Sequence, residues 1–234
     1  MALASSGSGA EGSGDRSIWT RPERGRRGPA PAHSRETIVG TAIQLADTGG
    51  LDAVSMRAVA AGLGMAVASL YRHLSSREDL LDLMVDRCVG ELSPYPQGTG
   101  SWQDELTGLA RRQLALFQRH PWLREAIGHG PKPGPHTLSY FDECLRILRP
   151  VRCGTAAKFE AIAMLTGVVS LFAAAVPAPD ASSAPAPGFG DVDPAAYPHL
   201  VAAVAEPAGD APRRDLFERT VRGLLTGLLA DDPG

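Results

Sequence analysis

Ser69, Tyr71, Arg72 and His73 place a hydroxyl, a phenol, a guanidinium and an imidazole within five consecutive positions. Hydroxyls and phenols donate to phosphate oxygens, and a guanidinium forks onto a phosphate or onto the two acceptors of a guanine edge. Val67, Leu70 and Leu74 fall at i, i+3 and i+7 through the same stretch. On a helix from about Ala66 to His73 they face one way and leave the hydrogen-bonding side chains outward. Ser55 and Arg57 upstream and Arg77 downstream extend this polar set. Ala66, Val67 and Ala68 open the helix, where they suit contact with a thymine methyl better than a hydrogen bond to a base.

Such side chains need elements to hold them. Ser55 caps a preceding helix in which Met56, Val59, Ala60 and Leu63 recur at i, i+3, i+4 and i+7, and Gly64 stops it. Ser76 opens a third helix with Glu78 and Asp79 in its first turn, where the helix dipole favours negative charge. Leu80, Leu81, Met84, Val85, Cys88 and Leu92 make its apolar stripe. Upstream, residues 34 to 48 form an amphipathic helix capped by Ser34, lined by Ile38, Ala42, Leu45 and Ala46, and ended by Gly49 and Gly50. Two short helices about a glycine turn make a helix-turn-helix, whose second member enters the major groove of DNA.

A long first helix ending in a Gly pair, then LDAVSMRAVAAGLGM, then SLYRHLSSREDLLDLM, resembles the DNA-binding domain of the TetR family of bacterial transcriptional regulators. The match runs over about residues 34 to 92. It is carried by the spacing of Arg57, Ala60, Leu63 and Gly64, by the Leu70–Tyr71–Arg72–His73 run, and by Arg77 ahead of an acidic-Leu-Leu stretch. The resemblance implies that Tyr71 directs its hydroxyl to phosphate and that Arg57 touches DNA. The expected DNA-contacting set is Ser55, Arg57, Val67, Ala68, Ser69, Tyr71, Arg72, His73 and Arg77. Further along, HPWL at 120 to 123, a glycine-proline loop and FERTVRGLLTGLL are similar to the C-terminal domain of the tetracycline-repressor-like branch.

Composition agrees. The net charge of −3 conceals an asymmetry: residues 16 to 77 hold nine arginines against four acidic residues, whereas residues 78 to 234 hold 14 basic and 20 acidic. Positive charge gathers where DNA would lie. Residues 1 to 33 are too rich in Gly, Ser, Pro and charge to bury a core and read as a disordered arm. Arg21, Arg24, Arg26 and Arg27 in it either follow the minor groove or form a solvated tail. The N-terminus lacks the apolar segment of a signal peptide, and the most apolar stretch, residues 159 to 176, is interrupted by Glu160, Thr166 and Ser170. Three widely spaced cysteines, Cys88, Cys144 and Cys153, suit reduced thiols in the cytoplasm.

The fold expected is all-α, with residues 34 to 80 as the DNA-binding domain and 81 to 234 as a C-terminal regulatory and dimerisation domain. Its helices are read at 101 to 119 (Leu106, Leu109, Ala110, Leu114 and Phe117 inward), from Pro121, at 138 to 148 (Phe141, Leu145 and Leu148 inward), at 154 to 176 and at 213 to 229. Residues 177 to 198 read as a Pro-rich loop. Phe117, Trp122, Phe141, Phe159, Met164 and Phe172 are candidate lining for an apolar or aromatic ligand, although each alone reads as ordinary core.

An enzyme is not expected: GxSxG, CxxC and a phosphate-binding glycine loop are all missing. Neither a cofactor nor a metal is expected, because His120, His129 and His136 are nine and seven residues apart and place no pair on one helical turn. The expected partners are a palindromic double-stranded operator, a small-molecule effector and a second copy of the chain, with no membrane. The function implied is a cytoplasmic repressor released from its operator by the effector. The rival is a constitutive or partner-controlled DNA-binding factor with no such ligand, which a fully packed C-terminal domain would favour.

Overall fold

Serines set the register of the first helices. Ser34 Oγ accepts the Thr37 amide, Ser55 Oγ that of Ala58 and Ser76 Oγ that of Asp79, each at 3.1 Å. Each such cap satisfies a donor that helix geometry leaves orphaned and contributes about 1 kcal/mol. The structure, a computed structural model, describes residues 18–19, 34–98, 100–175, 193, 195–205 and 215–229. In chain order its helices are α1 (Arg35–Gly49), α2 (Met56–Gly62), α3 (Val67–Leu70), α4 (Arg77–Gly90), α5 (Trp102–Arg119), α6 (Trp122–Gly128), α7 (Pro135–Ile147), α8 (Thr155–Ala174), α9 (Pro198–Ala205) and α10 (Leu216–Leu229). No strand occurs among the described residues, and the fold is all-α as expected.

The chain divides into two compact units. The first takes the residues up to Tyr95 together with Arg119–Arg146, and the second takes Pro96–Gln118 and everything from Ile147. In the first unit, Ile38, Ala42 and Ala46 of α1 are buried along with Val59, Ala60, Leu70, Leu74, Leu80, Met84 and Cys88. Gly50 ends α1 at φ 72° and sends its amide to Ala46 O at 2.8 Å, a left-handed conformation that glycine adopts without strain. Gly64 at φ 63° makes the turn between α2 and α3.

In the second unit, α8 and α10 pack together. Ala161, Ile162, Leu165 and Val169 of α8 and Phe217, Val221, Leu225 and Leu229 of α10 are buried, and Phe172 meets Phe217 edge-on at 5.2 Å. Arg111 of α5 bridges Asp215 at 2.5 Å and Glu218 at 2.7 Å, while Arg222 joins Glu218 and Asp104. Among the described residues α8 alone is long and apolar enough to cross a membrane by length and composition. Its Thr166 accepts a hydrogen bond from Gln113 of α5 at 3.3 Å.

Several sequence expectations shift. The α3 helix is a single turn that tightens to i→i−3 bonds at Arg72 and His73, so the expected helix to His73 is shorter. The inward face of α7 is Tyr140, Cys144, Ile147 and Leu148, with Phe141 and Leu145 only half-buried. That face is rotated by one residue from the one expected, because the stack at i, i+4 and i+8 begins at Tyr140. On α5, Gln113 and Thr107 are buried where only apolar residues were expected, and Leu114 is half-buried. Helix α9 starts at Pro198, the end of the expected loop, most of which lies outside the described residues.

Candidate nucleic-acid interface

Leu70 and Leu74 are 0% and 1% exposed, so the base on which α3 stands is closed. Tyr71 is 51% exposed, Arg57, Ala68 and Arg72 are exposed, and Val67, Ser69 and His73 are half-buried. Arg72 Nη2 donates to Ser69 Oγ at 2.7 Å. The guanidinium is therefore already held against α3 before any base or phosphate meets it, which reduces the side-chain entropy lost on contact. Ser55 is exposed, but its Oγ is occupied as the cap of α2. A helix N-terminus capped by an exposed serine still offers orphan amides to a phosphate.

Arg77 departs from expectation. Its Nε donates to Val54 O at 2.9 Å and its Nη2 to Leu51 O at 3.0 Å. Both acceptors belong to buried residues in the 3-10 turn between α1 and α2. The guanidinium thus fastens the start of α4 to that turn. Glu78 beside it has its carboxyl held below the usual range by the backbone amide at the start of α4 and by the Ser76 hydroxyl.

Trp19 is the one described aromatic of the N-terminal arm. It lies against Gly134, where a Cβ would meet its ring at 2.5 Å, and Ile18 O accepts from Arg35 Nη1 at 3.5 Å. The four arginines at 21, 24, 26 and 27 lie outside the described residues.

The first unit also contains polar groups that sequence reasoning missed. Asp47, at the end of α1, accepts from Trp122 Nε1 at 2.7 Å and pairs with His120 Nδ1 at 2.6 Å. Asp86, 3% exposed on α4, accepts the amides of His136 and Thr137 at 3.3 and 2.8 Å and the Thr137 hydroxyl at 2.9 Å. It caps α7 from another helix. Asp82, one turn earlier, accepts the Lys132 amide at 3.0 Å, and burial pushes its carboxyl above the usual range. The only sequence signal for these two was a pair of aspartates at i and i+4 inside the stripe of α4.

The six candidate ligand-lining residues divide between the two units. Trp122 and Phe141 belong to the first unit, and Phe117, Phe159, Met164 and Phe172 to the second. Trp122 is 4% exposed and bonded to Asp47, so it is core. Phe117 is buried, Phe159 and Met164 are on the exposed side of α8, and Phe172 packs on Phe217. Two grooves of the first unit, of about 350 and 400 Å³, are lined by other residues, among them Arg35, Val39 and His136 in one and Ser76, Asp82 and Lys132 in the other. Buried Cys88 and Cys144 have thiols pushed up to about 12 by desolvation, which leaves them unreactive as nucleophiles.

Residues 38–84 match the bacterial regulatory proteins of the tetR family, and residues 93–231 match the tetracyclin repressor-like C-terminal domain. The chain belongs to the TetR family. The HTH-type transcriptional repressor DrrR1 of Streptomyces coeruleorubidus is 38% identical over 65% of this chain and 57% of its own length. An HTH-type transcriptional regulator of Saccharopolyspora erythraea is 32% identical over 52% of this chain and 51% of its own. The chain thus spans a little over half the length of these curated relatives. ActR of Streptomyces coelicolor, solved in complex with actinorhodin, is 25% identical with a TM-score of 0.68 over 86% of this chain and 98% of its own. As a TetR-family chain, it carries its helix-turn-helix on α2 and α3 in the first unit, and α8 and α10 fall within the stretch matched by the C-terminal domain.

Proposed function

We propose that this chain is a homodimeric, ligand-responsive transcriptional repressor acting in the cytoplasm on a palindromic operator, with α1 to α3 reading DNA and the helices after them regulating it. The observation that carries this reading is the outward row of Ala68, Tyr71 and the Ser69–Arg72 pair over the closed Leu70–Leu74 base. One such helix covers few base pairs, so two copies reading half-sites about 34 Å apart supply the specificity. Leu228 and Leu216 of α10 and Leu171 of α8, 41%, 54% and 72% exposed, supply the apolar surface a second copy would cover.

The effector is expected to be largely apolar or aromatic. Support comes from the C-terminal domain and from ActR, whose structures hold actinorhodin and (S)-DNPA. On α5, buried Gln113 Oε1 and Thr107 Oγ1 have no hydrogen-bond partner among the described residues, and each is a candidate polar anchor. Release requires tighter binding to the DNA-free conformation, and a coupling of about 1 to 3 kcal/mol lowers operator affinity roughly 5- to 150-fold.

The test is fluorescence anisotropy at fixed salt with duplex DNA from upstream of the protein's own gene. Specific binding that actinorhodin or another aromatic polyketide weakens supports the reading. Binding no tighter than to random duplex defeats it, and specific binding that no ligand of this class alters favours a partner-controlled factor.

A further inference from the structure

We propose that Cys88 Sγ, His120 Nε2 and the Glu91 carboxylate form a binding site for a divalent metal of the zinc class. One ligand atom from each lies within 4.8 Å of the others, all inside the first unit. His120, His129 and His136 are too far apart in sequence to share one helical turn. This set instead draws a single histidine from the residue after α5 and two further ligands from the end of α4, so spacing within one helix could not reveal it.

His120 carries the case. Its side chain is 7% exposed, and its Nε2 makes no hydrogen bond among the described residues. Nδ1 is committed to Asp47 at 2.6 Å, and Asp47 is itself held by Trp122 at 2.7 Å. A carboxylate on Nδ1 keeps the proton there and turns the lone pair of Nε2 outward, the arrangement that supports histidine ligands of zinc. That lone pair faces Glu91 Oε1 at 3.5 Å. A cation seated between that nitrogen and the carboxylate would be bound by both. Arg119 holds the other oxygen, Oε2, and leaves Oε1 facing His120.

The donor set selects the ion. Thiolate and imidazole favour zinc over magnesium or calcium, and three protein ligands leave a fourth tetrahedral position open. Bonds of about 2.0 to 2.3 Å at tetrahedral angles place ligands on one zinc ion about 3.3 to 3.8 Å apart, so a separation of 4.8 Å must close by about 1 to 1.5 Å. Cys88 is 0% exposed, and in the metal-free protein burial and the carboxylates of Glu91 and Asp47 hold its thiol protonated. A divalent ion reverses that preference: the Cys88 sulfur binds the metal as thiolate and one proton leaves to solvent. Glu91, 39% exposed, marks the entry.

Cobalt(II) is the probe. The full chain, free of any histidine tag and reduced, is titrated with cobalt chloride and read for the thiolate-to-cobalt charge-transfer band and tetrahedral d–d absorption. One ion per chain is expected, displaced by zinc and raising the melting temperature. Cys88→Ser should abolish the charge-transfer band, Cys153→Ser should keep it, and Asp47→Asn should weaken binding by about 10- to 100-fold. Glu91→Gln, at a partly exposed position, serves if the buried variants unfold by circular dichroism, and should shift the d–d bands and lower affinity. A folded parent protein that shows no charge-transfer band, or an unchanged band in folded Cys88→Ser, overturns the proposal.

Discussion

Arg77→Ala separates two roles that the sequence alone does not distinguish. On a phosphate, the arginine would contribute to the electrostatic part of DNA binding, and its loss would lower the salt slope by about 0.9 per contact. In the structure its guanidinium instead spans Val54 O and Leu51 O at 2.9 and 3.0 Å. A hydrogen bond from a charged donor contributes about 1.5 to 3 kcal/mol, and two would give roughly twice that. The side chain is only half-buried and water reaches part of it, so a net loss of about 2 kcal/mol is the working figure. For a chain of this size that is a fall in melting temperature of about 4 to 8 °C. Arg77→Lys keeps the charge but cannot fork, so it should lose most of the same stability. Chemical denaturation and salt-dependent anisotropy on the same three proteins decide the matter. Both variants should be destabilised with an unchanged slope. A stability change under about 0.5 kcal/mol together with a slope lowered by about one unit in Arg77→Ala alone would refute the structural role.

Asp86→Ala removes the acceptor of three bonds at the start of α7; it should cost about 3 kcal/mol in urea denaturation, and Asp86→Asn, which keeps an acceptor, less than half of that. Asp82 has its carboxyl raised above 3.8 by burial, so the folded state holds its proton more tightly than the unfolded one. Its contribution is fully present below 3.8 and is lost as pH rises through the raised value, and Asp82→Asn should flatten that decline in denaturation midpoints measured across mildly acidic pH. Arg72→Ala and Ser69→Ala should change the consensus recovered by binding-site selection, with about 1 to 3 kcal/mol lost per base contact, whereas an unaltered consensus would argue against base readout. Leu228→Glu places a carboxylate on the exposed apolar edge of α10 and should give monomers in sedimentation; a parent that is already monomeric at micromolar concentration removes the basis for that interface.

Local periodicity carried most of the fold. Ser34, Ser55 and Ser76 were readable as caps because each precedes an apolar repeat, and Gly50 and Gly64 as breaks because nothing else takes positive φ so readily. The outward placement of Tyr71 and Arg72 followed from the inward placement of Leu70 and Leu74. What failed did so for identifiable reasons. Phe141 and Leu145 misled the phase of α7 because size was taken for burial, while the smaller Cys144 sits at 0% exposure between Tyr140 and Leu148. Aromatic and Met residues at helical spacing do not show which way a helix turns them, and α8 has Phe159 and Met164 on its exposed side.

The unreadable part is the part that joins distant segments. Asp47 reaches His120 across 73 residues, Asp82 reaches Lys132 across 50 and Asp86 reaches Thr137 across 51. No helical period encodes such pairs, and a buried aspartate inside an apolar stripe is locally only an irregularity. These bonds give α4 two different faces. Leu80, Met84 and Cys88 are buried on α4, which packs on α1, while Asp82 and Asp86 hold the loop after α6 and the first turn of α7. A displacement of the start of α7 must therefore either carry α4 with it or leave a buried carboxylate without its three donors. The second course costs several kcal/mol, more than the about 1 to 3 kcal/mol of a typical coupling. The first turn of α7 and α4 are on that ground tied to each other, and Arg77 ties the start of α4 to the Leu51–Val54 turn between α1 and α2.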